Sequence, residues 1–180
     1  MIRLMFFAAL AVFLVGCVTR VESIQRDVDS GLESEQGYLL IAVDTNRELN
    51  EIHIDGPRNL VLTAADLDQD ENYILFKAPA GEYEIKKIDL SKYFGFRLQR
   101  GDWTFSVQPG VISYVGDLKV RLNRFSFGGS FELVNEASEA QEFLERKFPS
   151  LISSREVHYF GPGEDDFFQA VKRYDRGEEK

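Results

Sequence analysis

Apolar and polar residues alternate through most of residues 37–134, and the alternation changes phase where the chain must turn or bulge. Tyr38–Thr45 is apolar at almost every position, as in a strand covered on both faces. Ile52 and Ile54 face one way, with His53 and Asp55 on the opposite face. Ile74, Phe76 and Ala78 form another inward set, and Pro79-Ala80-Gly81 reads as a turn. Tyr83 and Ile85 point inward, and so do Ile88 and Leu90. The phase therefore slips at Lys86-Lys87, where a β-bulge is expected. Trp103, Phe105 and Val107 alternate with Thr104, Ser106 and Gln108 ahead of a Pro109-Gly110 turn. Ile112, Tyr114, Gly116, Leu118, Val120 and Leu122 are assigned to one face of the next strand. Phe125, Phe127, Gly129, Phe131 and Leu133 take the face of the strand after it, joined by a two-residue hairpin at Asn123-Arg124. This spacing predicts a mainly β fold, an antiparallel β-sandwich of about seven to nine strands.

Helical spacing replaces the alternation towards the end of the chain. Ser138-Glu139-Ala140-Gln141 reads as a capping box, and Ala140, Phe143, Leu144 and Phe148 share one helical face. Pro149 stops that helix. A second helix is expected after Gly161-Pro162-Gly163. Glu164, Asp165 and Asp166 stand at its positive end, and Lys172 and Arg173 at its negative end. Two C-terminal α-helices are thus expected to pack on the sandwich. Residues 18–36 are polar and weakly periodic and read as a tether, while the tail Asp175–Lys180 is expected to fray.

At the start of the chain, Arg3 precedes an apolar run from Leu4 to Val15. That is the charge and length of a secretory signal, and it is short of the roughly 20 residues a membrane span needs. Leu14-Val15-Gly16-Cys17 resembles the lipobox of bacterial lipoproteins at all four positions. The resemblance implies removal of residues 1–16 and lipidation of Cys17, an attachment to the bilayer through two or three acyl chains. Val18, where an Asp would retain a lipoprotein of that family in the inner membrane, directs the expectation to the outer membrane facing the periplasm. The division is then 1–16 signal peptide, 17–36 lipidated cysteine and tether, 37–136 sandwich domain and 137–180 helical extension.

The chain carries a net charge of −9, which argues against nucleic acid as a main partner. The acidic excess sits at the front: Val18–Asn72 holds 13 acidic residues against 4 basic ones, so the rest of the chain is nearly balanced. Cys17 is the sole cysteine, so no disulfide framework supports the fold.

Catalytic chemistry finds little support. Gly128-Gly129-Ser130-Phe131-Glu132 lacks the last glycine of a nucleophile elbow and lies within strand alternation. His53 and His158 are far apart in sequence and read as ordinary surface or core imidazoles; no metal or cofactor is expected. Asp66, Asp68 and Asp70 alternate as in a calcium loop, but Glu71 replaces the required Gly and Lys77 the terminal Glu. A short helical turn capped from Thr63 suits the segment equally. The strongest binding candidate is the run from Lys92 to Trp103 with the preceding Lys86 and Lys87. There Lys92, Tyr93, Phe94, Phe96, Arg97 and Arg100 interleave aromatic rings with cations. These rings could equally plug the end of the sandwich.

Phe76–Ile85, with its Pro-x-Gly-x-Tyr core, and Phe105–Leu118, with Pro109-Gly110 and Tyr114, resemble small envelope lipoproteins with a prealbumin-like β-sandwich. The resemblance covers about residues 37–120 and implies no catalytic residues. The expected role is a non-enzymatic binding or structural module for an envelope protein or cell-wall glycan. The alternatives are a wall-modifying hydrolase or an accessory subunit of an envelope assembly or secretion complex.

Overall fold

The computed structural model describes residues 19–67, 73–99, 103–123 and 128–177. Cys17, with the leader before it, and Asp68, Asp70, Arg100, Phe125 and Phe127 lie outside these residues. The elements run β1 (Thr19–Arg20), β2 (Gln36–Thr45), β3 (Glu51–Asp55), β4 (Leu60–Thr63), α1 (Ala64–Leu67), β5 (Tyr73–Pro79), β6 (Gly81–Ser91) and β7 (Phe94–Arg97). They continue with β8 (Thr104–Val107), β9 (Ile112–Leu122), β10 (Gly129–Val134), α2 (Ala137–Lys147), α3 (Pro149–Ser154), β11 (Val157–Tyr159) and α4 (Phe167–Asp175).

The fold is mainly β, built on two sheets. The first has the order β1-β4-β3-β6, and the far edge of β6 is shared by β8 along Gly81–Glu84 and β7 along Lys87–Ser91. The second has the order β5-β2-β9, and the far edge of β9 is shared by β11 and β10. Both sheets are mixed, which corrects the purely antiparallel expectation. The pairs β1/β4, β2/β9 and β9/β11 are parallel. β2 and β9 share a direction because the chain between them leaves for the first sheet and re-enters beside its starting point: Gly110 N–H donates to Gln36 O, and Tyr38 pairs with Ile112.

The sheets face each other across an apolar core drawn from both, including Leu39 and Ile41 of β2, Ile52 and Ile54 of β3, Phe76 of β5 and Tyr83 and Ile85 of β6. The slip at Lys86-Lys87 is a bulge: His53 pairs with Lys87 and Ile54 with Ile85, leaving Lys86 over. A second core lies on the outer face of the second sheet. Tyr38, Leu40, Leu75, Ile112 and Tyr114 meet Ala140, Phe143, Leu144, Phe148, Leu151 and Phe168 there. β2 is consequently buried on both faces, as its unbroken apolar run requires.

β9 departs from its simple alternation. Leu40 pairs with Tyr114 but Ala42 with Asp117, so Ile41 alone opposes Val115 and Gly116. The extra residue is accommodated at Gly116, whose φ is +111°. Ile112 and Tyr114 therefore face the helices, whereas Val115, Leu118, Val120 and Leu122 enter the core between the sheets.

Three further local expectations are corrected. β9 and β10 are joined through residues 123–128, with Asn123 N–H bonded to Gly128 O, rather than by a two-residue turn. The capping box does not form, because α2 starts at Ala137, two residues earlier than a Ser138 cap requires, and Asn135 Oδ1 accepts from Ala137 N–H in its place. Pro149 both ends α2 and opens α3, so three helices, not two, follow residue 136.

The segment read as a tether is laid on the domain from Thr19 onward. Thr19 and Arg20 pair with Leu60 and Val61 at the edge of the first sheet, and Ile24 N–H then reaches Leu75 O on the edge of the second. Asp27 accepts the N–H groups of Ser150 and Leu151 at 2.8 and 3.0 Å, capping α3 from the other end of the chain. Asp29 takes Arg155 Nε at 2.7 Å and the Tyr38 hydroxyl at 2.7 Å. The Arg155 contact holds the Asp29 carboxyl below its usual range.

Two substitutions probe this architecture. Gly116→Ala places a Cβ 2.9 Å from Val134 O at a φ hostile to side chains. It is expected to cost about 2 kcal/mol or more by urea unfolding. Asp27→Ala is expected to cost about 1 kcal/mol and to speed amide exchange at Ser150 and Leu151. A free leash would show neither effect.

Candidate functional site

The aromatic and basic run becomes the hairpin β6–β7, with Lys92-Tyr93 as its turn. Tyr93 is 89% exposed and Phe94 37%. Lys92 Nζ stands 5.7 Å from the centre of the Tyr93 ring. Phe94 meets Phe96 edge-on at 5.2 Å, and Phe96 turns inward onto Phe131 at 4.9 Å. Phe96 thus plugs the sandwich while Tyr93 stays in solvent, so the plugging reading holds for Phe96 and not for Tyr93.

The cations are divided as well. Lys86 is paired with Glu84, and Lys87 with Asp89 at 2.7 Å. Lys87 lies directly across from Arg97 in the ladder. Like charges so placed repel, and the Asp89 carboxylate offsets that cost. The exposed tip brought together by the fold is Lys92, Tyr93 and Phe94, with Arg97 further down β7.

Asp66 is engaged in helix capping. Its carboxylate accepts the N–H and hydroxyl of Thr63, each at 2.9 Å, and the Ser23 hydroxyl at 2.9 Å. His158 contacts Glu156 at 3.1 Å and Gln169 at 2.7 Å beside a hollow of about 200 Å³. Two other hollows, of about 330 and 430 Å³, include Glu48 and Glu22 respectively. Each of the three is lined by one acidic residue, so none brings two carboxylates face to face.

One polar centre was missed from sequence. The Gly116 bulge turns Asp117 onto the helix side, 4% exposed, beside Tyr114. The Tyr114 hydroxyl donates to Asp117 Oδ1 at 2.6 Å and accepts the Glu136 N–H at 3.0 Å. The Tyr73 hydroxyl approaches Oδ2 at 3.5 Å. Glu136 and Glu139, at the start of α2, bring carboxylate oxygens within 4.8 Å of that of Asp117, and Lys119 pairs with Glu136. Burial, with the neighbouring carboxylates adding to it, pushes Asp117 up to about 7 against the pull of the Tyr114 hydrogen bond. Lys119 holds Glu136 below its usual range, and burial raises both Tyr73 and Tyr114. The arrangement links the start of α2 to the sheet through Tyr114 and a buried acid whose neutral form burial favours. An Asp within the apolar run of β9 is its only trace in the sequence.

Comparison of the chain with protein-family models, curated proteins and solved structures finds no match. Among the described residues no helix is long and apolar enough to cross a membrane. The class defined by the fold is a β-rich domain of two mixed sheets with a helical layer over one of them.

Because Asp117 binds its proton more tightly folded than unfolded, its contribution to stability is complete below about pH 4 and is lost as pH rises towards about 7. Glu136 has the opposite sign, and its contribution is lost as pH falls through its lowered folded value. Asp117→Asn retains an acceptor for Tyr114 but cannot titrate. Its thermal midpoint is expected to fall less than that of the wild type between about pH 4.5 and 7.5. Parallel profiles would remove Asp117 from this role.

Proposed function

We propose that the chain is an envelope lipoprotein anchored through Cys17 and that it works as a non-enzymatic binding module, presenting the β6–β7 tip to a partner away from its own membrane. The observation that carries this reading is that Thr19, the first described residue, and the β6–β7 tip lie at opposite ends of the first sheet. Thr19 pairs with Leu60, beside the β3–β4 turn. Gly81, the first residue of β6, packs against Pro57 of that same turn. β6 then runs away for eleven residues to reach Lys92-Tyr93, a path of about 35 Å. From Cys17 to Thr19 the chain can span only about 7 Å. A lipid on Cys17 therefore holds the β3–β4 end close to the bilayer and the aromatic tip well above it. The partner suited to Lys92, Tyr93 and Phe94 is an envelope protein or a wall glycan, met by ring stacking and a nearby cation.

The test has two arms. Cys17→Ser is expected to abolish labelled-palmitate incorporation and to release the protein from membranes. A photoreactive residue at position 93 is expected to crosslink protein or glycan in cells, while one at Arg58 crosslinks lipid. Lipid capture from position 93, with none from position 58, would reverse the orientation.

A further inference from the structure

We propose that Glu51, His53 and Asp89 form a binding site for a divalent metal ion of the zinc class on the outer face of the first sheet. Glu51 and Asp89 are directly paired across β3 and β6, and His53 is two residues on from Glu51, on the same face. His53 Nε2 stands 3.0 Å from Asp89 Oδ2 and 3.2 Å from Glu51 Oε2. All three donor atoms lie within 4.8 Å of one another. Donors around a tetrahedral zinc are about 3.4 Å apart, given bonds of about 2.0–2.2 Å, so small side-chain movements would admit the ion. One imidazole and two carboxylates suit zinc or a similar transition metal better than calcium, which takes oxygen ligands alone.

The fold is shaped around this group. The bulge at Lys86 sets the phase that brings Asp89 to the face His53 occupies. Gly95, paired with Asp89, provides the space for its carboxylate: a Cβ there would stand 2.0 Å from Oδ1. Asp89 is only 7% exposed, so this ligand is held in place. His53 and Glu51 are each about a third exposed, which leaves an entry path and room for water as a fourth ligand. Lys87 Nζ lies 2.7 Å from the same Asp89 oxygen that approaches His53. Its ammonium is the resident counter-charge, and on its flexible stem it can swing into solvent when the metal arrives.

The experiment is titration of the full chain in detergent micelles with zinc by calorimetry, and with cobalt by visible absorption. One equivalent is expected to bind and to raise the thermal midpoint. His53→Gln and Glu51→Gln, checked for a native circular dichroism spectrum, are expected to weaken binding at least about tenfold. His158→Gln, which alters the other imidazole, should leave it unchanged. Lys87→Gln should tighten it by removing the competing charge, an effect that a purely structural ion-pair cluster would not produce. Absence of stoichiometric binding, or binding indifferent to His53→Gln, would overturn the proposal.

Discussion

The single residue added at Gly116 organises much of this molecule. A strand with strict alternation offers one face to each side throughout its length. By inserting a residue that can adopt a φ of +111°, β9 exchanges its faces partway along. Before the bulge, Ile112 and Tyr114 supply the core under the helices; after it, Leu118, Val120 and Leu122 supply the core between the sheets. The same displacement brings Asp117 under α2, where Tyr114 and the first turn of the helix enclose it. A bulge that re-aims side chains also puts a buried acid where a regular strand would have placed it on the opposite face.

The layers follow from that exchange. The second sheet lies between the first sheet and the helices, and β2 at its centre is apolar on both faces. Burial of a large apolar side chain is worth about 1.5–3 kcal/mol, so this doubly covered strand is a major source of stability. Residues 19–35 then tie the layers together, pairing with the edge of the first sheet, crossing the edge of the second and capping α3 with Asp27. A polar segment placed this way keeps Thr19, the first described residue, against the domain. That closeness is what would let the proposed anchor at Cys17 set the orientation of the domain.

Three of the polar sites differ in physical character. At the β6–β7 tip, exposed rings and a cation offer contact area with little burial. Beneath α2, burial raises the Asp117 carboxyl, and its hydrogen bond with Tyr114 ties the strand to the start of the helix. On the outer face of the first sheet, Glu51, His53 and Asp89 sit between these extremes, one ligand fixed by burial and two open to solvent. That intermediate state is the one suited to exchanging a bound ion.

Patterns of period two, helical spacing and turn residues depend on neighbours along the chain. They made β2, β3, β5, β8, the Lys86 bulge, the apolar face of α2 and the charged ends of α4 legible from sequence, together with the turns at Pro79-Gly81 and Pro109-Gly110. They could not reveal that β2 and β9 run parallel, since strand direction depends on the path taken through the other sheet. Nor could they expose the Gly116 bulge, because glycine is silent about which face it occupies. Of the aromatic and basic run, sequence identified the segment, and packing against Phe131 separated Phe96 from Tyr93. Asp117 with Glu136, and His53 with Asp89, are pairs distant in sequence; only the fold brings them together. By itself the sequence determined where the chain is apolar, where it turns and where its one thiol stands. Tertiary structure decided which polar groups share a site, because the electrostatic energy of two charges depends on their separation in space and on the water excluded between them.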